Sequence, residues 1–326
     1  MRFLESTWCP VCLGIIILIM MVTSLLPHAS TSLVKAFPEK NLYRENEEWV
    51  PPSANEIPSD SNGDLIRYGR ELIANTSRYL GPEGIVAHCS NSMNCQNCHL
   101  EAGMQNFGNP FSAAFSSYPR YRERSGRVES ITFRINECLK RSMNGKAVDS
   151  AGTEMKAMVA YINWVGKDVP RGIKPLGAGT EVLPFLQRPA DPAKGKIVYV
   201  NYCQRCHGSN GEGLQNGERT GYTYPPLWGE QSYNVSAGMY RLSMLAGFIK
   251  NNMPQGTTWK DPVLTDEQAW DAAAFINSQQ RPVKFFSYDY PAMNKKPFDY
   301  PFGPYTDGFS EQQHKYGPFV EMKKMR

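Results

Sequence analysis

Two five-residue motifs, CQNCH (Cys95 to His99) and CQRCH (Cys203 to His207), constrain this chain more than any other feature. Each places two thiols and an imidazole within about one helical turn. That pattern attaches a haem through two thioether bonds and offers the histidine to its iron. One such motif also arises by chance or inside a zinc site. Two of them, each in helical surroundings, point to two covalently bound haem c groups. Cys95, Cys98, Cys203 and Cys206 are then the attachment thiols, and His99 and His207 are iron ligands. Reduced CxxC pairs on zinc fit an exported, oxidised chain poorly.

Export is read from the N-terminus. Residues 1–32 open with a short polar stretch, continue with an apolar run from Val11 to Leu26, and end in small and polar residues. The run falls short of the roughly 18–20 apolar residues that span a bilayer comfortably and sits where a secretory signal belongs. A signal peptide is favoured over a retained anchor, and the expected location is periplasmic. Cys9 and Cys12 belong to this segment, which leaves six of the eight cysteines for the folded part. The formal net charge of +4 is small and not gathered into blocks, so no nucleic-acid surface is expected.

The chain is long enough for two ordinary domains with additions at both ends. Residues 33–62, rich in Pro, Ser, Asn and Glu, read as an extended lead-in. An N-terminal domain over 63–170 begins with a helix in which Leu65, Tyr68, Gly69, Leu72 and Leu80 lie near one face. It closes with a helix striped by Met155, Met158, Val159, Ile162 and Val165, methionines that suit a core better than an iron. Residues 171–190 are Pro/Gly-rich and form the linker. The C-terminal domain, 191–281, repeats the plan: helix, haem motif, then a closing helix that starts with a capping box from Thr265 to Gln268. Residues 282–326, rich in Pro, Tyr and Phe, should wrap irregularly over the domains. No β alternation stands out, and the expected fold is all-α.

The ligands opposite the motif histidines set the chemistry of each haem. His28 goes with the signal, His88 is too near Cys95 to reach the opposite face, and His314 sits in the tail. In the second domain a helix ends at Met253-Pro254 with Gly256 following, which presents a thioether to iron; Met244 is the rival but sits mid-helix. His/Met ligation raises the reduction potential, as electron-transfer haems require. The first domain has no such loop, since Met104 lies too close to His99 and Met143 lies just beyond Cys138. A helix begun at Ser130 puts Ile131, Ile135, Cys138 and Leu139 on one face, which turns Cys138 toward the haem. The competing fate of Cys138 is a disulfide with Cys89, which parity and compartment favour.

The blocks NCQNCHLEAG, YPRYRERSGRVESITFRINECLKRSMNGK, FIKNNMP and PYTDGFSEQQHKYGPF resemble the dihaem thiosulfate dehydrogenases, which interconvert thiosulfate and tetrathionate in the periplasm. The resemblance spans most of residues 65–320, and its central and terminal blocks are not shared by cytochromes in general. It implies His/Cys ligation of the first haem through Cys138, and a substrate pocket that includes Arg124, Arg134 and Ser142, with Arg141 and Lys146 as weaker candidates. It implies thiosulfate and tetrathionate as ligands and a soluble or membrane-attached cytochrome as electron acceptor. Some members pair a lysine with the methionine of the second haem; here Asn252 precedes Met253, so methionine alone is expected.

Joining two thiosulfate dianions asks for positive charge, and arginine forks suit sulfonate oxygens. The stretch from Tyr118 to Lys146 supplies Arg120, Arg122, Arg124, Arg127, Arg134, Lys140 and Arg141. Such a run also makes an ordinary wet face. A cysteine thiolate near cations suits sulfur exchange. The rival readings are a dihaem electron carrier without substrate chemistry, which would bring a second methionine ligand, and a peroxidase with one open iron.

Overall fold

The computed structural model describes residues 46–218 and 220–325. The segment read as a signal or anchor, with Cys9, Cys12 and His28, and the first part of the lead-in lie outside the described residues. Among the described residues, no helix is long and apolar enough to cross a membrane.

The first domain is built on helices α1 (Ser61–Ala74), α2 (Thr76–Leu80), α3 (Ile131–Arg141) and α4 (Thr153–Val165). The second has α5 (Pro192–Tyr202), α6 (Gln204–His207), α7 (Leu242–Asn252) and α8 (Asp266–Ser278). The starts of these helices are written locally. Asp60 accepts the Gly63 N–H at 2.9 Å to cap α1, and the Ser130 hydroxyl accepts the Phe133 N–H at 3.1 Å to cap α3. Thr265 and Gln268 form the expected reciprocal box at the start of α8, so donors with no partner inside the helix are satisfied by side chains.

Each domain is closed by the same crossing. Helix α1 packs on α4 and α5 on α8, and in each pair a glycine sits where the backbones meet. A methyl group on Gly69 would lie 2.0 Å from the Ala157 carbonyl oxygen, and one on Gly195 would lie 1.8 Å from that of Asp271. No side chain fits at either point. Around the first crossing Leu72, Met155, Met158, Tyr161 and Val165 are buried, each contributing about 1.5–3 kcal/mol by leaving water. The second core gathers Tyr199, Leu242, Trp270 and Ile276. A small third cluster, Met93, Leu139 and Met143, packs against Cys98.

The expected helical fold holds, with two short ribbons besides. Strands β1 (Arg120–Arg122) and β2 (Arg127–Glu129) pair antiparallel, as do β3 (Leu214–Gln215) and β4 (Tyr222–Tyr224). Two- and three-residue strands, one of them Arg-Tyr-Arg, are too short for alternation to register.

The linker is fastened at both ends. Phe107 and Asn109 donate their N–H groups to the carbonyls of Gly177 and Gly179 at 2.7 and 3.2 Å. Asn251 on α7 donates to Glu181 at 2.8 Å, and Arg188 grips Asp271 on α8 through two bonds of 2.8 and 2.9 Å. The tail is largely irregular, with short helices α9 (Glu311–Tyr316) and α10 (Val320–Lys324). Asp299, almost fully buried, accepts from Arg241 at 2.8 Å and from the Ser243 N–H at 3.1 Å. His314 is fully buried, with Nδ1 on the Phe298 carbonyl, Nε2 on Asp307 and its ring stacked on Tyr305. Both ring nitrogens are committed, so this histidine holds the tail together and has no free nitrogen for a metal. His88 is exposed, with Nδ1 on the Pro82 carbonyl.

Candidate functional site

At the first motif the His99 N–H donates to the Cys95 carbonyl at 3.0 Å, which coils the five residues into one turn. The ring stacks on Phe111, with centroids 4.6 Å apart, and Nδ1 donates to the Asn109 carbonyl at 2.7 Å. Nδ1 being used, Nε2 is the nitrogen left for a ligand role, and such a backbone bond both orients the ring and raises its basicity. The linker contributes here, because Gly179 holds Asn109. The second motif repeats the device: His207 Nδ1 donates to the Pro225 carbonyl at 2.8 Å. Burial pushes the His207 pKa down against that bond, which keeps the neutral imidazole that binds metal.

Helix α3 turns Cys138 toward His99, close enough for the imidazole to act electrostatically on the sulfur. Burial pushes this thiol up, but the Arg134 guanidinium and His99 bring it down to about 7. The motif thiols go the other way: burial, with the neighbouring Cys138, raises Cys98 to about 12 and Cys95 to about 11. Two classes of sulfur therefore meet in one place, a pair held as thiols for thioether bonds and one held toward thiolate. Cys89 and Cys138 are both free, so the disulfide between them is not formed. Cys89 sits by the loop after α3, where its carbonyl accepts the Lys146 N–H at 2.7 Å.

In the second domain Met253 ends α7, donating its N–H to Ile249 at 3.0 Å, and it packs with Cys203 against one apolar cluster. The rival Met244 takes a hydrogen bond from Thr180 on its sulfur at 3.7 Å. Asn252 is buried and fully engaged. Its amide nitrogen donates to the carbonyls of Phe248 and Phe107, and its oxygen accepts from Gln105 at 2.7 Å. A cavity of about 610 Å³ opens along this seam between Met253, Leu100 and Gln105.

The cations divide into two kinds. Arg134 and Arg122 make no ion pair among the described residues; Arg134 is held charged by Cys138, and burial and Arg134 together lower Arg122. Arg124 uses two of its N–H groups on the Ser236 carbonyl (2.9 Å) and the Tyr290 hydroxyl (3.3 Å). Ser142 sits half-buried at the end of α3, its N–H on the Cys138 carbonyl at 2.8 Å. Arg141 is a different case. It is 2 % exposed, bonded to Glu137 at 2.8 Å and bidentate to Asp289 at 2.6 and 2.7 Å. Its charge is consumed inside the fold and is not presented to a substrate. Lys146 is exposed. Arg127 stacks on Phe133 at 4.1 Å.

Comparisons with known proteins agree with this arrangement. Residues 87–170 match the family described as SoxA/TsdA, cytochrome c domain, and residues 192–280 match cytochrome c. Thiosulfate dehydrogenase of Stutzerimonas stutzeri is 37% identical over 72% of this chain and 73% of its own. That of Psychrobacter arcticus is 38% identical over 72% of this chain and 68% of its own. The chain belongs to the thiosulfate dehydrogenase family. Among solved structures, the thiosulfate dehydrogenase TsdBA from Marichromatium purpuratum superposes with a TM-score of 0.66 at 34% identity over 72% of this chain. This chain spans half the length of that protein.

As a member of the thiosulfate dehydrogenase family with two cytochrome c domains, the chain carries two covalently bound haem c groups. The donor set fits them: two CxxCH turns, two imidazoles with Nδ1 tied to backbone, and a sulfur facing one of them. Sequence reasoning missed Glu137, Ser236, Asp289 and Tyr290 around α3. Glu137 bonds Arg141 four positions on within α3, but the others act across a long separation, as Asp289 and Arg141 do over 148 positions. No local motif marks such a pair.

Proposed function

We propose that this protein oxidises two thiosulfate ions to tetrathionate at the first haem, and that the same site runs the reverse reduction. The observation that carries the proposal is the free Cys138 sulfur beside His99, with the uncompensated guanidinium of Arg134 on it. His99 and Cys138 would hold the iron of the first haem, and His207 and Met253 that of the second. Asn252 is tied into Gln105 and Phe107, so Met253 serves alone in both redox states.

Arg134 and Arg122 screen the two dianions and, with Arg124 and Ser142, hold their sulfonate oxygens. The Cys138 thiolate forms a sulfur–sulfur bond to the outer sulfur of one thiosulfate, and two electrons leave. The outer sulfur of a second thiosulfate then attacks the outer sulfur of this adduct. The bond to Cys138 breaks, tetrathionate departs and the thiolate is restored, as in thiol–disulfide exchange. Haems held by these residues would supply the acceptors for the two electrons, with a soluble or membrane-attached cytochrome as the final acceptor. The reaction is placed in the periplasm, consistent with the apolar N-terminal run.

Cys138→Gly is the test: loss of thiosulfate oxidation with both haems still attached is expected. Full activity in that variant would leave the protein an electron carrier without substrate chemistry of its own.

A further inference from the structure

Arg281, just beyond the end of α8, is a buried cation that the proposed chemistry does not use. Its side chain is 7% exposed. One nitrogen, Nη2, donates to the Ile276 carbonyl at 2.6 Å. The guanidinium lies over the rings of Tyr233 and Tyr240, 4.3 and 5.1 Å from their centroids. Its Nε and Nη1 groups have no acceptor in hydrogen-bonding geometry among the described residues. The Tyr233 hydroxyl donates to Asn277 at 2.9 Å, and Arg281 beside it offsets part of the rise that burial gives its pKa. Two aromatic faces offset part of the cost of burying this charge, but a guanidinium with unpaired N–H groups in an apolar core calls for an anion.

The surroundings indicate which anion. Tyr233 and Tyr240 belong to the apolar cluster on which Cys98 of the first motif and Cys203 of the second both pack, together with Leu100 and Met253. The segment that carries Tyr233 is bonded to the first domain, where the Asn91 amide donates to the Gln231 carbonyl at 3.0 Å and the Arg141 carbonyl accepts the Asn234 N–H at 3.1 Å. A carboxylate is needed where both haem-binding motifs converge, and each haem c brings two propionates.

We propose that Arg281 binds a haem propionate through these N–H groups, and the bonding of the Tyr233 segment to Asn91 and Arg141 assigns it to the first haem. The proposal rests on haem attachment alone and is independent of the role given to Cys138. The pairing tunes the haem. A propionate left without its cation favours the ferric state, so loss of Arg281 lowers the reduction potential of the haem it serves.

The test is potentiometry of the holoprotein, with the two haems followed separately. In Arg281→Gln the reduced-to-oxidised ratio of the first haem at a fixed poise should fall about tenfold, equivalent to about 59 mV for one electron. In Arg281→Lys, which keeps the charge, it should fall less than in Arg281→Gln. A fall confined to the second haem would keep the propionate contact and move it to that haem. Ratios within twofold of wild type for both haems in Arg281→Gln would overturn the proposal and leave water on these N–H groups. Should Arg281→Gln fail to mature, resonance Raman spectra of wild type and Arg281→Lys decide. A displaced propionate-bending band supports the contact, and identical bands refute it.

Discussion

Replacing Asp289 by Ala tests how the tail positions the helix that carries Cys138. Asp289 grips the Arg141 guanidinium with both oxygens, at 2.6 and 2.7 Å, and Arg141 in turn bonds Glu137 at 2.8 Å. The side chains of Arg141, Asp289 and Glu137 are only 2%, 7% and 4% exposed. Glu137 is also held by Lys140 and accepts from the Tyr288 hydroxyl at 2.9 Å. Burial pulls the Arg141 pKa down, and Asp289 then Glu137 push it well above its usual value. Removing Asp289 leaves a buried guanidinium sharing one carboxylate with a lysine. Breaking a buried pair in this way costs about 3–5 kcal/mol, against a total stability of about 5–15 kcal/mol. Arg141 lies one turn beyond Cys138 on α3, so the loss falls on the helix that carries Cys138. Denaturation of the holoprotein should show a Tm lower by on the order of 10 °C. Arg141→Met combined with Asp289→Ala should cost much less than the sum of the single variants. A change within about 0.5 kcal/mol for Asp289→Ala, the range of ordinary surface substitutions, would refute the reasoning.

Other outcomes follow from the same geometry. Gly69→Ala and Gly195→Ala each force a methyl group onto a backbone carbonyl, and each should cost about 1–3 kcal/mol or more in chemical denaturation. Arg134→Met should leave both haems attached but lower kcat/KM for thiosulfate at least about tenfold, equal to about 1.4 kcal/mol of transition-state stabilisation. A value matching wild type would remove Arg134 from the site. His314→Ala removes the bonds to Phe298 and Asp307 together. It should make the tail beyond Phe298 more sensitive to limited proteolysis while the haem spectra stay unchanged.

What could be read from the sequence was what short-range physics dictates. The stripe of α4, the cap of α8 and the run of α3 from Ser130 are matters of a few neighbouring residues. So is the end of α7 at Met253. The cysteine turned toward His99 followed from helical spacing once α3 was drawn. Arg141 shows where this reasoning stops. Placed among seven basic residues between Tyr118 and Lys146, it looks like its neighbours, yet it is sealed inside by Glu137 and by Asp289 from the far end of the chain. Which cations remain free for an anion depends on such distant carboxylates. The ribbon of β1 and β2 was hidden for a different reason, since three-residue strands carry no period.

The most direct test of the account is mass spectrometry of the Cys138 peptide from holoprotein mixed with tetrathionate. Attack by the thiolate would release one thiosulfate and leave the other half on the sulfur without any net electron transfer. The account predicts one added S2O3 group on Cys138, absent from Cys89 and reversed by excess thiosulfate. A Cys138 that stays unmodified while the enzyme turns over would contradict it.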